Sequence, residues 1–363
     1  MKKNILIDGY YLTKPRGMGR YIKELIYSLS YTKAAEDFNI YVSITDEEFH
    51  DDILKVMEKF NVIKRKQLPF PIWEQAYIPY LVKQLKVDVL LSPYNTYPIL
   101  TKIMNVKNVI TIHDLMFLDG KGIGGNVYQK MGNVYRKSIV KSITNRTSII
   151  SVSKNTSDEL YNKLNLHSKV IYTAIDYFFE QNKCVDSKKS LDDEYYYHVG
   201  GVSPHKNTER VIQAFCKLKS SNTKLVISGL PVNNKLKEKY KHNDKIIFTG
   251  WLEDIEVANL YKFAKGVIFP SLVEGYGLPI IEAFKYRTPV VTSNFAPMSE
   301  IAHSAAVLVD PYSITAIQQG MEKLDSKNLS EELVNKMDIA LKEINSRVMG
   351  EEMKKVIKAC ITT

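Results

Sequence analysis

Short apolar runs alternate with longer stretches of helical periodicity along the whole chain, and this rhythm constrains the fold more than any other feature. In the first half the runs fall at Ile5 to Ile7, Ile40 to Ile44, Val87 to Leu91, Val109 to Ile112, Ile149 to Val152 and Val170 to Tyr172. In the second half they fall at Tyr195 to Val199, Leu225 to Ser228, Ile246 to Thr249, Val267 to Phe269, Val290 to Thr292 and Ala306 to Val309. Such alternation predicts an α/β protein with two parallel, doubly wound, Rossmann-like sheets. The 363 residues suffice for two domains, each with its own core. The charged stretch from Glu180 to Glu194 is the expected connector, which sets the domains at 1–180 and 181–345. Ligands of such sheets bind beyond the carboxyl ends of the strands. Two facing sheets would place a site in the cleft between them.

Apolar residues make up 45% of the chain and charged residues 25%, as in soluble globular proteins. The start Met1-Lys-Lys-Asn-Ile-Leu-Ile-Asp8 reaches a charge after three apolar residues, too soon for a signal peptide, and reads as a first strand. No apolar segment approaches a membrane span, and Cys184, Cys216 and Cys360 are scattered without ligand spacing. A reducing cytoplasm is the expected location. The net charge of +10 is uneven, with 25 Lys+Arg against 18 Asp+Glu in residues 1–180 and 25 against 22 in the rest. A positive first half suits an anionic lipid surface or an acidic acceptor. Lys64-Arg65-Lys66 ahead of Leu68-Pro-Phe70-Pro-Ile-Trp73 is one segment that fits, and Lys130, Lys137 and Lys141 on one helical face are another. An ordinary solvated face accounts for them equally well, and no nucleic-acid partner is expected.

The stretch Ser271-Leu-Val-Glu274-Gly-Tyr276-Gly277-Leu278-Pro279-Ile-Ile-Glu282 concentrates chemistry. It lies between an expected buried strand, Lys265 to Pro270, and an apolar run opened by Leu278-Pro279, in which proline suits the first helical position. Gly275 and Gly277 permit close backbone approach, and the free amides of a helix start favour an anion such as phosphate. Glu274 on the loop and Glu282 a helical turn beyond Pro279 can accept hydrogen bonds from the hydroxyls of one ligand. A surface loop followed by a glutamate that complements a helix dipole is the plainer alternative.

The arrangement resembles the Glu-x7-Glu motif of retaining glycosyltransferases of family 4. By that resemblance Glu274 meets the donor sugar and Glu282 the ribose. His198-Val-Gly200-Gly201-Val-Ser-Pro-His205-Lys206-Asn207 is similar to the family's second phosphate-binding loop, with Lys206 at the lysine position. Gly201 stands where an arginine is usual, leaving one cation to be supplied otherwise, for which His205 is a candidate. Arg16-Gly17-Met18-Gly19-Arg20-Tyr21 resembles the first glycine loop, near the donor phosphates and acceptor. A dinucleotide fingerprint would need a third glycine where Ile22 stands. His113-Asp114 follows the run Val109 to Ile112, and the similar histidine in the family lies near the donor sugar. Asp114 either fixes the tautomer of His113 or caps the next turn. Trp73-Glu74-Gln75, Ser151-Val-Ser153, Tyr172-Thr-Ala-Ile-Asp176, Gly250-Trp251-Leu252 and Pro297 through Asp310-Pro311 are further matches. Leu252 is then the expected nucleobase contact. Thr173-Ala174 replaces a common Asn-Gly, and Arg287 replaces a glycine at a helix end.

The resemblance implies a GT-B fold with an acceptor-side first domain, a nucleotide-sugar-binding second domain, and a final helix, residues 346–363, crossing back to the first. It also implies transfer of a hexose from a nucleotide diphosphate sugar to a hydroxyl of a growing glycan. The relatives most similar in pattern are bacterial mannosyltransferases of polysaccharide and O-antigen assembly, which points to GDP-mannose and a lipid-linked oligosaccharide at the cytoplasmic membrane face. His113, Glu274 and Lys206 would serve catalysis. Gly17, Gly19, Gly201, Leu252, Gly275, Tyr276, Gly277, Leu278 and Glu282 would hold the donor. With no Asp-x-Asp motif, neither a metal nor another cofactor is expected. Two other classes compete: a catalytically silent sugar-nucleotide-binding partner, motivated by Gly201, and a dinucleotide-dependent oxidoreductase.

Overall fold

The computed structural model describes residues 2–14, 17–47, 53–119, 127–144, 146–182, 193–219, 222–231 and 233–362. Arg16, Cys184 and most of the charged connector lie outside them. The chain divides into two units, residues 1–181 with 344–363, and residues 182–343.

Unit 1 is built on a seven-stranded sheet. Its strands are β1 (Lys3–Asp8), β2 (Phe38–Thr45), β3 (Asn61–Arg65), β4 (Val89–Ser92), β5 (Lys107–Ile112), β6 (Thr147–Ser151) and β7 (Lys169–Val170). They are all parallel, in the order β3-β2-β1-β4-β5-β6-β7. Ile5, Leu6, Ile7, Val89, Leu90, Ile110 and Ile150 are completely buried, as strands covered by helices on both faces require. The strand order turns back between β1 and β4. There the connections leave on opposite faces and open a crevice at the carboxyl ends.

The edge strand β3 differs from the sequence expectation, which had no strand there. With one neighbour and one wet side it needs no continuous apolar run, and it carries Lys64 and Arg65. Within the segment read as lipid-facing, Lys64, Arg65, Lys66 and Ile72 are exposed, but the tryptophan is not. Trp73 is completely buried, its indole Nε1 donating to Asp8 Oδ1 at 2.9 Å, and the Arg65 guanidinium lies 4.5 Å from the centre of the Tyr77 ring.

The helix Ser346–Thr362 belongs to unit 1. It packs on the helix Gly17–Ser30 so closely that a Cβ at Gly350 would stand 2.2 Å from the Ser28 carbonyl oxygen. Lys354 and Lys358 both reach Asp37 at 3.0 Å and hold its carboxyl below the usual range.

Unit 2 repeats the architecture with β8 (Tyr195–Val199), β9 (Lys224–Ser228), β10 (Ile246–Gly250), β11 (Gly266–Phe269), β12 (Val290–Ser293) and β13 (Val307–Val309), each on an expected run. Their order is β10-β9-β8-β11-β12-β13, again parallel, with the turn-back between β8 and β11. The helix Leu278–Lys285 leaves the β11 loop and buries Ile280, Ile281, Ala283 and Phe284. Past its end Arg287 adopts φ +58°, the left-handed conformation in which glycine is common. Its guanidinium pairs with exposed Asp338 at 3.0 Å, which contributes little. Arg287→Gly is expected to raise stability by up to about 1 kcal/mol, less than the full left-handed penalty because glycine also loosens the unfolded chain. Urea unfolding would measure it.

Candidate functional site

In unit 2 the loops after β8 and β11 meet at the crevice where the strand order turns back. Leu272 N–H donates to the His205 carbonyl at 2.7 Å, and Asn207 Nδ2 donates to the carbonyls of Pro270 and Pro311 at 2.9 and 2.7 Å. These bonds bring Lys206 to Glu274, Nζ to Oε1 2.7 Å, with only 22% and 14% of the two side chains exposed. Ser271 Oγ lies 2.8 Å from the same carboxylate oxygen. The amine also sits 5.0 Å from the centre of the Phe269 ring. Gly201 adjoins this pair, since a Cβ there would be 3.3 Å from Lys206 Cγ and a longer side chain would crowd the lysine stem. Gly277, with φ +120°, ends the loop at the helix Leu278–Lys285, and no side chain caps that helix start. Gly275, Tyr276 and Leu278 lie along this turn, Tyr276 being buried. A lysine–carboxylate pair thus includes a residue of the short loop that leads into this helix start, a set that can bind an anion and a hydroxyl together.

Glu282 faces the interior. It is 4% exposed, and its Oε2 accepts from the Tyr261 hydroxyl at 2.6 Å. Tyr261 is held in turn by its edge-on contact with Tyr197 and by its carbonyl, which accepts from Thr288 Oγ1. Leu252 follows β10 and is half-buried beside the exposed Trp251. Beneath the site His198, completely buried, bridges two strands and a helix: Nδ1 is 2.7 Å from the Ile268 carbonyl and Nε2 is 2.9 Å from Thr208 Oγ1. A carbonyl only accepts, so Nδ1 carries the proton and Nε2 accepts from the threonine. Burial pushes the imidazole down to about 4 and keeps it neutral.

In unit 1, Gly17 has φ +51° and opens the helix Gly17–Ser30. Gly19 has no room for a side chain, because a Cβ would fall 1.9 Å from the Lys14 carbonyl oxygen. His113 follows β5, its ring nitrogen Nε2 2.9 Å from the Pro93 carbonyl and its ring edge-on to Tyr21 at 4.6 Å. The carbonyl again fixes the proton, on Nε2, and burial lowers the imidazole below its usual range, so neutral His113 presents Nδ1 as an acceptor. Asp114 does not orient this ring; Oδ1 accepts from the Met116 amide and caps the following turn.

Sequence reasoning did not single out the buried carboxyls of Asp8 and Glu74. Asp8 ends β1 within a group of rings that includes Tyr10, Trp73 and Tyr94. Its Oδ1 is bonded by Trp73 and by the Tyr10 amide, while Oδ2 is buried without a partner among the described residues. Glu74 is bonded by Thr96 at 2.5 Å, by Gln75 at 2.8 Å and by the Tyr135 hydroxyl. Burial raises Asp8 to about 6 and Glu74 to about 7. The available signal was Trp73-Glu74-Gln75, now seen as the π-helical segment Trp73–Tyr77.

The fold is that of the GT-B glycosyltransferases. The chain matches the Anabaena protein Alr3699/HepE, solved in complex with UDP-glucose, with a TM-score of 0.71 at 14% identity over 98% of this chain and 99% of that one. Residues 180–343 match the model of glycosyl transferases group 1, and unit 2 is a domain of that family. Among named relatives, the serotype-specific mannosyltransferase WbdA of Escherichia coli is 27% identical over 238 residues, 60% of this chain and 29% of WbdA. The chain therefore spans less than a third of that relative. The O-antigen chain mannosyltransferase RfbU of Salmonella typhimurium is 24% identical over 259 residues, 68% of this chain and 67% of RfbU.

Proposed function

We propose that the protein is a retaining glycosyltransferase that moves mannose from GDP-mannose to a hydroxyl of a growing glycan or lipid-linked oligosaccharide of a bacterial surface polysaccharide. The observation that carries this reading is the Lys206–Glu274 pair beside an uncapped helix start at the crevice of unit 2. A departing diphosphate needs preorganised positive charge, and Lys206 with the amides of the turn supplies it. Glu274 holds Lys206 while the site is empty and meets the sugar hydroxyls when it is filled. Glu282, braced by Tyr261, takes the ribose. His113 and the glycine loop of unit 1 serve the sugar and the acceptor. The mannosyltransferase relatives support the sugar, and the UDP-glucose complex of Alr3699/HepE supports the nucleotide-sugar class of donor. No helix among the described residues is long and apolar enough to cross a membrane. On this reading the protein reaches a lipid-linked acceptor from the membrane surface.

Thermal unfolding with UDP, GDP, ADP, dTDP and NAD tests the donor site. A ligand at about 100 times its dissociation constant adds roughly 2.7 kcal/mol, enough for a visible shift. A shift with GDP alone supports the reading; a shift with another nucleoside diphosphate changes the donor, and none at all removes the site. Glu282→Ala is expected to weaken GDP binding about tenfold or more, through loss of a charged acceptor. Titration calorimetry would show it, and an unchanged dissociation constant would exclude the ribose role.

A further inference from the structure

Unit 1 has a concavity at the opposite edge of its sheet, where the strands begin. Lys3 opens β1, Asp88 precedes β4, Lys107 opens β5 and Thr147 opens β6; with Lys102 and Arg146 they line a cavity of about 470 Å³. Among the described residues Asp88 is its one acidic lining residue, and it is occupied by Lys3 at 2.8 Å. Lys107 and Arg146 are exposed and have no acidic partner among the described residues. Lys102 donates to the Ser142 carbonyl, which adds no negative charge. Among the described residues the cavity therefore carries more positive than negative charge.

Beside it runs the 3-10 helix Ile99–Ile103, to which Lys102 belongs. Three residues make a turn in such a helix, so Leu100 and Ile103 eclipse each other on one edge. They are 50% and 84% exposed, and Ile99 is 43% exposed. Single exposed apolar residues need no explanation, but here three belong to one short helix that also contributes Thr101 and Lys102 to the lining of the basic cavity, so apolar and cationic groups are carried by the same element.

We propose that this face docks on an anionic lipid surface. A headgroup phosphate enters the cavity against Lys102, Lys107 and Arg146, while Leu100 and Ile103, with Ile99 beside them, enter the interfacial layer. A soluble phosphate would satisfy the cations and leave Ile103 in water; an anionic lipid supplies both chemistries. This names the surface for the membrane contact in the proposed function and depends on neither the donor nor the reaction. The six residues of β1 put the two sheet edges roughly 20 Å apart, so a lipid-linked acceptor would reach the carboxyl edge with its glycan and not with its anchor.

The test is co-sedimentation with vesicles of phosphatidylcholine alone and of phosphatidylcholine with about a third phosphatidylglycerol. The wild type is expected to bind the second and not the first. The double variant Lys107→Glu, Arg146→Glu is expected to lose about tenfold or more of its partitioning, and Ile103→Ser severalfold. Reversal of Lys130 and Lys137, on the other basic face, is expected to change little. Each variant should keep the thermal shift with nucleoside diphosphate, which separates failure of this surface from failure of the donor site. Binding that ignores phosphatidylglycerol, or equal losses from the two charge reversals, would overturn the assignment. So would a dimer in gel filtration that Ile103→Ser dissolves, since the apolar rim would then belong to a second copy of the chain.

Discussion

Glu274→Ala is expected to lower the rate of sugar transfer by about 10²-fold or more while leaving the affinity for the nucleotide diphosphate within a few fold. The carboxylate is 2.7 Å from the Lys206 amine, with most of both side chains covered, so it holds that amine in place; on the proposed reading it also offers an acceptor to the sugar. Its removal leaves Lys206 charged and free to bind phosphate, which preserves donor binding. What is lost is the placement of the sugar relative to the departing diphosphate. Glu274→Gln keeps the side-chain size and the bond from Ser271 but not the charge, so an equal loss in both variants would assign the effect to charge. Lys206→Ala strands a largely buried carboxylate and should weaken diphosphate binding as well as transfer. Initial rates over a range of donor concentration, with unfolding curves for each variant, separate these effects. Wild-type turnover by Glu274→Ala would remove the residue from the mechanism.

The second large effect concerns stability. Asp8→Asn is expected to gain roughly 3 kcal/mol relative to wild type between pH 3.5 and pH 8, from a shift of about two units. In the folded chain burial raises this carboxyl from 3.8 to about 6. Below the unfolded value both states are protonated and Asp8 costs nothing. Across the window from about 4 to about 6 the unfolded chain ionises first and the folded chain lags, so wild-type stability falls as pH rises. Asparagine does not titrate, so the slope disappears. The constant penalty of burying an amide at Oδ2 cancels in the comparison between pH values. Glu74, raised to about 7, repels the Asp8 carboxylate and extends the fall towards neutral pH. Denaturant unfolding followed by tryptophan fluorescence suits the experiment, since Trp73 bonds Asp8 directly and Trp251 is largely exposed. A pH-independent difference between the two proteins would mean that Asp8 ionises normally.

Much of this was legible in the sequence, for a physical reason. A strand buried on both faces leaves a continuous apolar run, and all six strands of unit 2 lie on such runs. The edge strand β3 has no such obligation and passed unnoticed behind Lys64 and Arg65. Glu274, Glu282 and Lys206 were visible because glycines and a proline mark the turns that present them. Their partners were not. Lys206 and Glu274 are 68 residues apart, and only the folding of two loops towards one crevice makes them a pair. Tyr261 as the brace of Glu282, and His198 as the strut under the loop that carries Lys206, depend equally on tertiary packing. The carboxyls of Asp8 and Glu74 look unremarkable in sequence because burial, which sets their chemistry, is supplied by rings from several distant segments.

The helix Ser346–Thr362 has a consequence for synthesis. Residues 1–181 leave the ribosome before unit 2, yet the surface of the helix Gly17–Ser30 that receives Gly350 and its neighbours stays bare until residues 346–362 emerge. All of unit 2 is translated in that interval and can fold as a unit of its own. Unit 1 is therefore begun before unit 2 and completed after it, and a nascent chain stalled before residue 346 would carry a finished second unit behind an open first one.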